Sequence, residues 1–442
     1  MERAKLIVKN FGPLKDIDIE VREMVTFIGA QASGKSTLAK LLSILEDEEF
    51  RSNHNLDFKS ELKKYNILSY LNNNTYIKYD VLNIKISKFS FEYKNDDYSK
   101  NSILQILSAI KKGKIQEDKI AEGTEALKEL IALYINTYDL IGKVEFYEIF
   151  TTHIQKVKFE VDFFEKRINK IELQKNDIEL LIEISEKEKI LENYFTLLNQ
   201  IVNCFPSIFQ FDSIYIPSER NFLHLIAENA LGLINNNIQI PKHILNAGQE
   251  YEKAIQTVKE LPLSIIDKNY TYKREGKTSY IYHNETEKVD LLESASGLQS
   301  IIPILLLVEY SKSLKEKYNF NFVVEEPELN LYPKAQHELI KYLVKNCLFE
   351  RKNLILTTHS PFVLASINNL LLAFDKGKMN PKEVNKIIKK ESWLDPKNFI
   401  AYELKNGKAK KIMDDKLGQI KENMIDGVSD AFADEFDKLL DL

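Results

Sequence analysis

The eight residues "GAQASGKS", Gly29 to Ser36, limit what this chain can fold into more than any other stretch. They fit the spacing G-x-x-x-x-G-K-[ST] and stand between an apolar run ending at Ile28 and a helix-period segment from Ser36. Gly29 and Gly34 leave room for backbone amides to wrap a phosphate, and a helix N-terminus behind them adds partial positive charge. Lys35 is placed to reach the outer phosphates, the Ser36 hydroxyl to take Mg²⁺, and Thr37 follows in the same first turn. A loop of this kind works only between a strand and a helix, so the motif predicts an α/β fold.

The neighbouring pattern agrees. "KLIVKNF", "DIDIEV" and "MVTFI" read as three strands, and Leu38, Leu41, Leu42 and Leu45 share one helix face. Lys143 to Phe205 holds neither glycine nor proline. There Ile154, Val157, Val161, Phe164, Ile168 and Ile171 alternate steps of three and four, and Phe195, Leu198, Val202 and Phe205 repeat the spacing. This predicts a helical insertion over residues 96–205, a short coiled-coil-like hairpin or bundle, dividing a head into parts 1–95 and 206–442. An arm of about 25 residues at ~1.5 Å each reaches only ~40 Å, a lobe and not a long arm. Past Pro206, "SIYIPSER" reads as a strand and loop, and "YTYKREGKTSYIYH" as a hairpin turning at Glu275-Gly276. A further hairpin is expected at Asn406-Gly407, before a C-terminal acidic helix.

Two strand ends carry further chemistry. "FNFVVEEPELNLYP" puts Glu325 and Glu326 at the end of an apolar strand. The first carboxylate suits Mg²⁺ and the second an attacking water. "LILTTHSP" puts His359 at the tip of another, where it can reach a terminal phosphate or that water. "SASGLQ", with Ser296, Gly297 and Gln299, opens the buried helix that includes Ile301 to Val308, a suitable anion site with no complete partner nearby.

The order of phosphate loop, serine-glycine turn, acidic strand and histidine strand resembles an ABC-type ATPase head, nearest the group of OLD-family, RecF-like and SMC-like proteins. "LIVKNFGPLKDIDI" resembles the N-terminal hairpin of that group, which lies near the adenine. "EEPELNLYP" resembles the OLD-type "EEPEAHLHP", keeping its glutamates and prolines while Asn330 and Tyr332 replace both histidines; at the place of Glu325 the usual residue is aspartate. "IPSER" with Arg220 is similar to the same group. The likeness covers roughly residues 1–50 and 285–365.

The resemblance implies ATP and Mg²⁺ as ligands, with Glu326 and His359 catalytic. Gly29, Gly34, Lys35, Ser36, Thr37, Ser296, Gly297 and Gln299 would hold nucleotide, and Ser36 and Glu325 the metal. It further implies a homodimer or higher homo-oligomer sharing ATP sites, each signature serine closing on the phosphates of the other copy. The 83 residues after His359 show no cluster of the TOPRIM nuclease type. The chain thus resembles stand-alone ATPases that control a separately encoded nuclease or toxin in anti-phage defence, such as the ATPase component of the PARIS system. A RecF/SMC-like DNA-maintenance ATPase is the alternative, and DNA contact stays open.

Composition adds limits. A net charge of -5 gives no global attraction to nucleic acid, and "KKGK" and "KNGKAKK" read as solvated faces. The N-terminus lacks the apolar stretch of a signal peptide, and Ile301 to Val308 is far too short to span a bilayer. Cys204 and Cys347 have no metal-type spacing and read as buried thiols. A cytoplasmic protein without membrane contact is expected.

Overall fold

The fold is organised around β3 (Met24–Gly29), whose six residues are all buried and which ends in the phosphate loop. The computed structural model describes residues 4–52, 56–81, 89–102, 211–227, 240–314, 319–348 and 353–440. β1 (Ala4–Phe11) and β2 (Leu14–Val21) form the expected N-terminal hairpin. α1 (Lys35–Leu45) follows β3, and α2 (Glu48–Ser52) and α3 (Phe58–Lys64) lead to β4 (Tyr76–Val81), β5 (Phe89–Lys94) and β6 (Asp97–Ser102). After β7 (Phe211–Ile216) and α4 (Lys242–Thr257), a small antiparallel sheet is built from β8 (Glu260–Pro262), β9 (Thr271–Glu275), β10 (Thr278–Tyr282) and β11 (Lys288–Asp290). Then come α5 (Ser296–Ser313), β12 (Asn319–Glu325), α6 (Pro333–Cys347), β13 (Asn353–Thr358), α7 (Pro361–Gly377) and α8 (Pro381–Ile387). β14 (Phe399–Lys405), β15 (Lys408–Lys411), the short pair β16 (Met413–Asp414) and β17 (Gln419–Ile420), and α9 (Met424–Leu440) complete the order.

The main sheet has eleven strands in the order β6-β5-β4-β1-β2-β15-β14-β3-β13-β12-β7. Its right half, β14-β3-β13-β12-β7, is parallel, and its strands read as continuous apolar runs because both faces are covered. α1 packs along β3, β13, β12 and β7, while α6 packs on β12 and β13 and carries α7. The left half is an antiparallel meander from β2 to β6. The halves meet at a narrow seam, where the Lys15 and Asp16 amides donate to the Gly407 carbonyl at 2.8 and 3.0 Å.

The α/β expectation holds. The two hairpins also turn where expected: Gly276 has φ 58°, and Asn406 and Gly407 have φ 54° and 76°, the left-handed pair a tight two-residue turn needs. The head sheet continues to Ser102, past the 95/96 boundary expected for the insertion, because β6 pairs along β5. The heptad-like spacing from Ile154 to Phe205 and Cys204 lie outside the described residues. Cys347 is buried and forms no disulfide among the described residues. No described helix is long and apolar enough to cross a membrane.

Gly377, at the end of α7, lies under the Trp393 ring, and an added Cβ would strike the ring carbons. Trp393 is also tied down, its indole N–H donating to the Ile388 carbonyl at 2.9 Å. We expect Gly377→Ala to cost about 1–3 kcal/mol through overpacking. Urea unfolding followed by the emission of this single tryptophan measures it. An unchanged midpoint and spectrum would show that the ring is not held there.

Candidate ATP-binding site

The phosphate loop is wedged between two hairpin tips. A Cβ at Gly34 (φ 100°) would lie 2.7 Å from Leu14 Cδ2, at the start of β2, and one at Gly29 2.6 Å from the Leu404 carbonyl on β14. Only glycine fits both the dihedral at 34 and the space. Ala32, with φ 58°, also takes the left-handed conformation that curls the loop. α1 starts at Gly34 without a side-chain cap, so its first amides remain available to an anion. Buried Lys35 donates from Nζ to the Gly29 and Ala30 carbonyls, both at 3.0 Å. Burial lowers its pKa, opposed by the charges of Glu326, Glu328 and Glu325. Thr37 is buried in the same turn.

Glu325 ends β12 and Glu326 follows it, two strands from β3 with β13 between. Glu325 is buried, which raises its pKa; Lys40 and the Tyr215 and Ser36 hydroxyls oppose the rise. Yet among the described residues its Oε1 and the buried Tyr215 hydroxyl each lack a partner at hydrogen-bonding geometry. Glu326 is held at φ 43°, a left-handed conformation unusual for glutamate and common at functional sites. Its amide donates to the Thr357 carbonyl at 2.9 Å and to Thr357 Oγ1 at 3.2 Å. Its Oε1 lies 3.4 Å from His359 Nε2, both side chains being partly open to solvent. Lys35, Ser36, Glu325, Glu326 and His359 thus gather at the C-terminal ends of three adjacent parallel strands.

Two further residues hold this arrangement. Arg220 is fully buried and donates from Nε to Ser300 O (2.9 Å), from Nη1 to Glu325 O (2.8 Å) and from Nη2 to Glu326 O (2.8 Å). Sequence reading noticed Arg220 only by resemblance. Glu328 it missed, although a third acid spaced by a proline from the first two was a readable signal. Glu328 accepts from the His359 amide at 2.7 Å and from Thr358 Oγ1 at 2.8 Å, and burial raises its pKa.

The serine-glycine turn lies elsewhere. α5 packs on β7, the neighbour of β12 on the side away from β3. Among the described residues no hydrogen bond joins Ser296 or Gly297 to the phosphate loop. Ser296 is exposed as the first residue of α5, which has no side-chain cap. Gly297 is required by proximity: a Cβ would sit 2.7 Å from the Asn330 carbonyl, in the loop after the acidic strand. Gln299, expected to hold nucleotide, donates its amide to the Leu292 (3.0 Å) and Ser294 (2.8 Å) carbonyls and so braces the turn itself. Its own carbonyl accepts from His224 Nε2 at 2.7 Å, while Tyr251 donates to His224 Nδ1 at 2.8 Å.

The donor set fits Mg²⁺. Among the described residues no three His, Cys, Asp or Glu side chains gather into a cage. A hard cation held by one carboxylate, one hydroxyl, phosphate oxygens and water needs none. Ser36 and the orphaned Glu325 Oε1 would supply the protein's share.

A profile of the AAA ATPase domain family matches residues 1–364, and the chain belongs to that family. No curated protein matches it. Among solved structures it is similar to the Smc head domain with an extended coiled coil bound to the C-terminal domain of ScpA, from Pyrococcus furiosus. That match has 11% identity and TM-score 0.36, covering 93% of this chain and 96% of that one. The SMC head domain from Thermotoga maritima gives 11%, 0.36, 93% and 98% in the same order. The recombination mediator protein RecF-ATPrS in the RecFOR pathway gives 12%, 0.31, 92% and 97%.

The His224 relay has a pH consequence. Burial pushes its pKa down to about 4, so it is neutral at pH 7 and can accept from Tyr251. An unfolded histidine titrates near ~6.5, so as pH falls from about 6.5 towards 4 the unfolded chain takes up a proton that the folded chain resists. Stability is therefore lost on acidification, by about 2 kcal/mol between pH 7 and 5 from this residue. Urea midpoints across that range should show the loss, with a shallower slope in His224→Gln. An identical slope would exclude a buried neutral His224.

Proposed function

We propose that this AAA ATPase-domain protein is a Mg²⁺-dependent ATP hydrolase whose two nucleotide sites are each completed by a second copy of the chain. The convergence of Lys35, Ser36, Glu325, Glu326 and His359 on adjacent strand ends carries this reading. Lys35 exchanges the two loop carbonyls for phosphate oxygens, and the α1 amides hold the remaining charge. The metal, when bound, neutralises charge on the phosphates beside Ser36 and Glu325. Glu326 accepts a proton from the attacking water, and His359 orients that water or the terminal phosphate. The exposed Ser296 and the uncapped α5 N-terminus supply anion contacts to the partner's nucleotide, so ATP joins the two copies.

On the "EEPELNLYP" resemblance, the reading extends to control of a separately encoded nuclease or toxin in bacterial anti-phage defence. Co-purification with the product of an adjacent gene, in a manner dependent on ATP, tests that step. Activity stimulated by DNA without such a partner would favour a DNA-maintenance role instead.

Three variants test the chemistry. Lys35→Ala should lose nucleotide binding or slow turnover by about 10²–10³-fold, through lost charge compensation. Glu326→Gln should bind ATP yet turn over about 10²–10⁴-fold more slowly, accumulating the ATP-joined pair. Wild-type turnover in either would remove its residue from the site. Ser296→Arg should load ATP and fail to close its partner's site. Mixed with Lys35→Ala, it forms a heterodimer with one intact site, so ATPase activity should return. A fully active Ser296→Arg protein would refute the shared site.

A further inference from the structure

α1 lies over β7 and β12, and a polar line runs along the side it turns to them. Ser36, Lys40, Ser43 and Glu46 at the C-cap follow at steps of four, three and three, which keeps them on one side of the helix. Asn321 on β12 donates from Nδ2 to the Glu46 carbonyl (3.0 Å) and to Glu46 Oε2 (3.2 Å). Ser213 on β7, which pairs with Asn321, hydrogen-bonds Ser43 Oγ at 2.8 Å. Strand side chains alternate between faces, so Tyr215 and Glu325, further along the same two strands, also face α1. These contacts form a ladder from the end of α1 towards the phosphate loop, and its last rung differs from the others.

At that rung Tyr215 and Glu325 are both buried, and each shifts the titration of the other. Yet among the described residues neither the Tyr215 hydroxyl nor Glu325 Oε1 has a hydrogen-bond partner. The Tyr215 ring is held in place: Tyr65 meets it edge-on at 5.4 Å and 85°, and His243 at 5.8 Å and 72°. Tyr65 is itself tied through its hydroxyl to Ser43 Oγ at 2.9 Å. Phenylalanine would fill this place without burying an unpaired hydroxyl, so the hydroxyl costs stability that the fold alone does not recover. A group of that kind calls for a state in which it is satisfied.

We propose that Tyr215 is a positioning residue for the metal site: with Mg²⁺ bound, its hydroxyl donates to the Glu325 carboxylate and holds it towards Ser36. This rests on the ATPase reading above. A divalent cation favours the ionised form of a buried carboxylate, and an ionised carboxylate accepts a hydroxyl more strongly than a neutral one. One donor leaves lone pairs on both carboxylate oxygens for the cation. The last rung of the ladder thus closes only when the site is loaded, whereas the Ser43 and Glu46 rungs are closed by the fold itself.

Mn²⁺ binding tests it, read from the EPR signal of the free ion, on the full chain with a stoichiometric non-hydrolysable ATP analogue. Tyr215→Phe should weaken Mn²⁺ binding by about 10-fold or more. Its urea midpoint in EDTA should not fall, because only an unpaired hydroxyl is lost, and its affinity for the analogue in EDTA should match that of the wild type. Ser43→Ala, which opens a closed rung, should do the reverse: a lower midpoint and unchanged Mn²⁺ binding. Unchanged Mn²⁺ binding in Tyr215→Phe would overturn the proposal. So would a lower midpoint in that variant, since the hydroxyl would then be paired by the fold itself. Equal weakening of Mn²⁺ binding by Tyr215→Phe and Ser43→Ala would overturn it too, because the packing of α1 would then explain both. A wild-type chain that takes up no analogue would instead remove the ATPase reading, and the proposal with it.

Discussion

A single buried guanidinium holds the reactive end of the sheet together. Arg220 reaches the carbonyls of Ser300 on α5 and of Glu325 and Glu326 at the end of β12, and also Pro217 after β7 at 3.3 Å. Burial lowers its pKa to about 10, with Glu328, Glu326, Glu325 and Glu219 opposing the shift, so it remains charged at neutral pH. A lysine could supply the charge but not the planar fork that meets several carbonyls at once. Without the fork, the Ser300, Glu325 and Glu326 carbonyls would each lose this donor. Glu326 would also lose one of the contacts that keep it at a positive φ.

Glu328 plays the reciprocal part with the opposite charge. By accepting the His359 amide and the Thr358 hydroxyl, it ties the end of β13 to the loop after β12. Together, the buried arginine and the buried glutamate set Glu326 and His359 before any ligand arrives. Such preorganisation is what a site acting by position and electrostatics requires. Neither side chain contacts the other's backbone targets, although the Glu328 charge helps to keep Arg220 protonated.

The same geometry separates the phosphate loop from the serine-glycine turn. The phosphate loop lies on β3, whereas the signature turn lies beyond β12 on the helix packed against β7. At about 4.8 Å per strand, β3 and β7 are roughly 14 Å apart, a gap that loop rearrangement alone does not close. Gly297 against Asn330 links the signature mechanically to the acidic strand's own loop.

What the amino-acid order determined by itself was local. Gly29 to Ser36 announced a strand, an anion-binding loop and a helix because only that arrangement satisfies its glycines and lysine. Asn406-Gly407 announced a turn because both residues tolerate positive φ. The apolar runs around Val323 and Leu356 announced buried strands. Contacts between residues far apart in the chain were decided by the tertiary structure. Arg220 meets Glu325 across 105 positions, and β14 closes on β3 although some 370 residues separate them. Gln299 shows the limit most directly: its type suited a ligand contact, but the fold turned its amide onto the Leu292 and Ser294 carbonyls. Side-chain chemistry sets what a residue can do, whereas the backbone groups within reach after folding decide which of those interactions it makes.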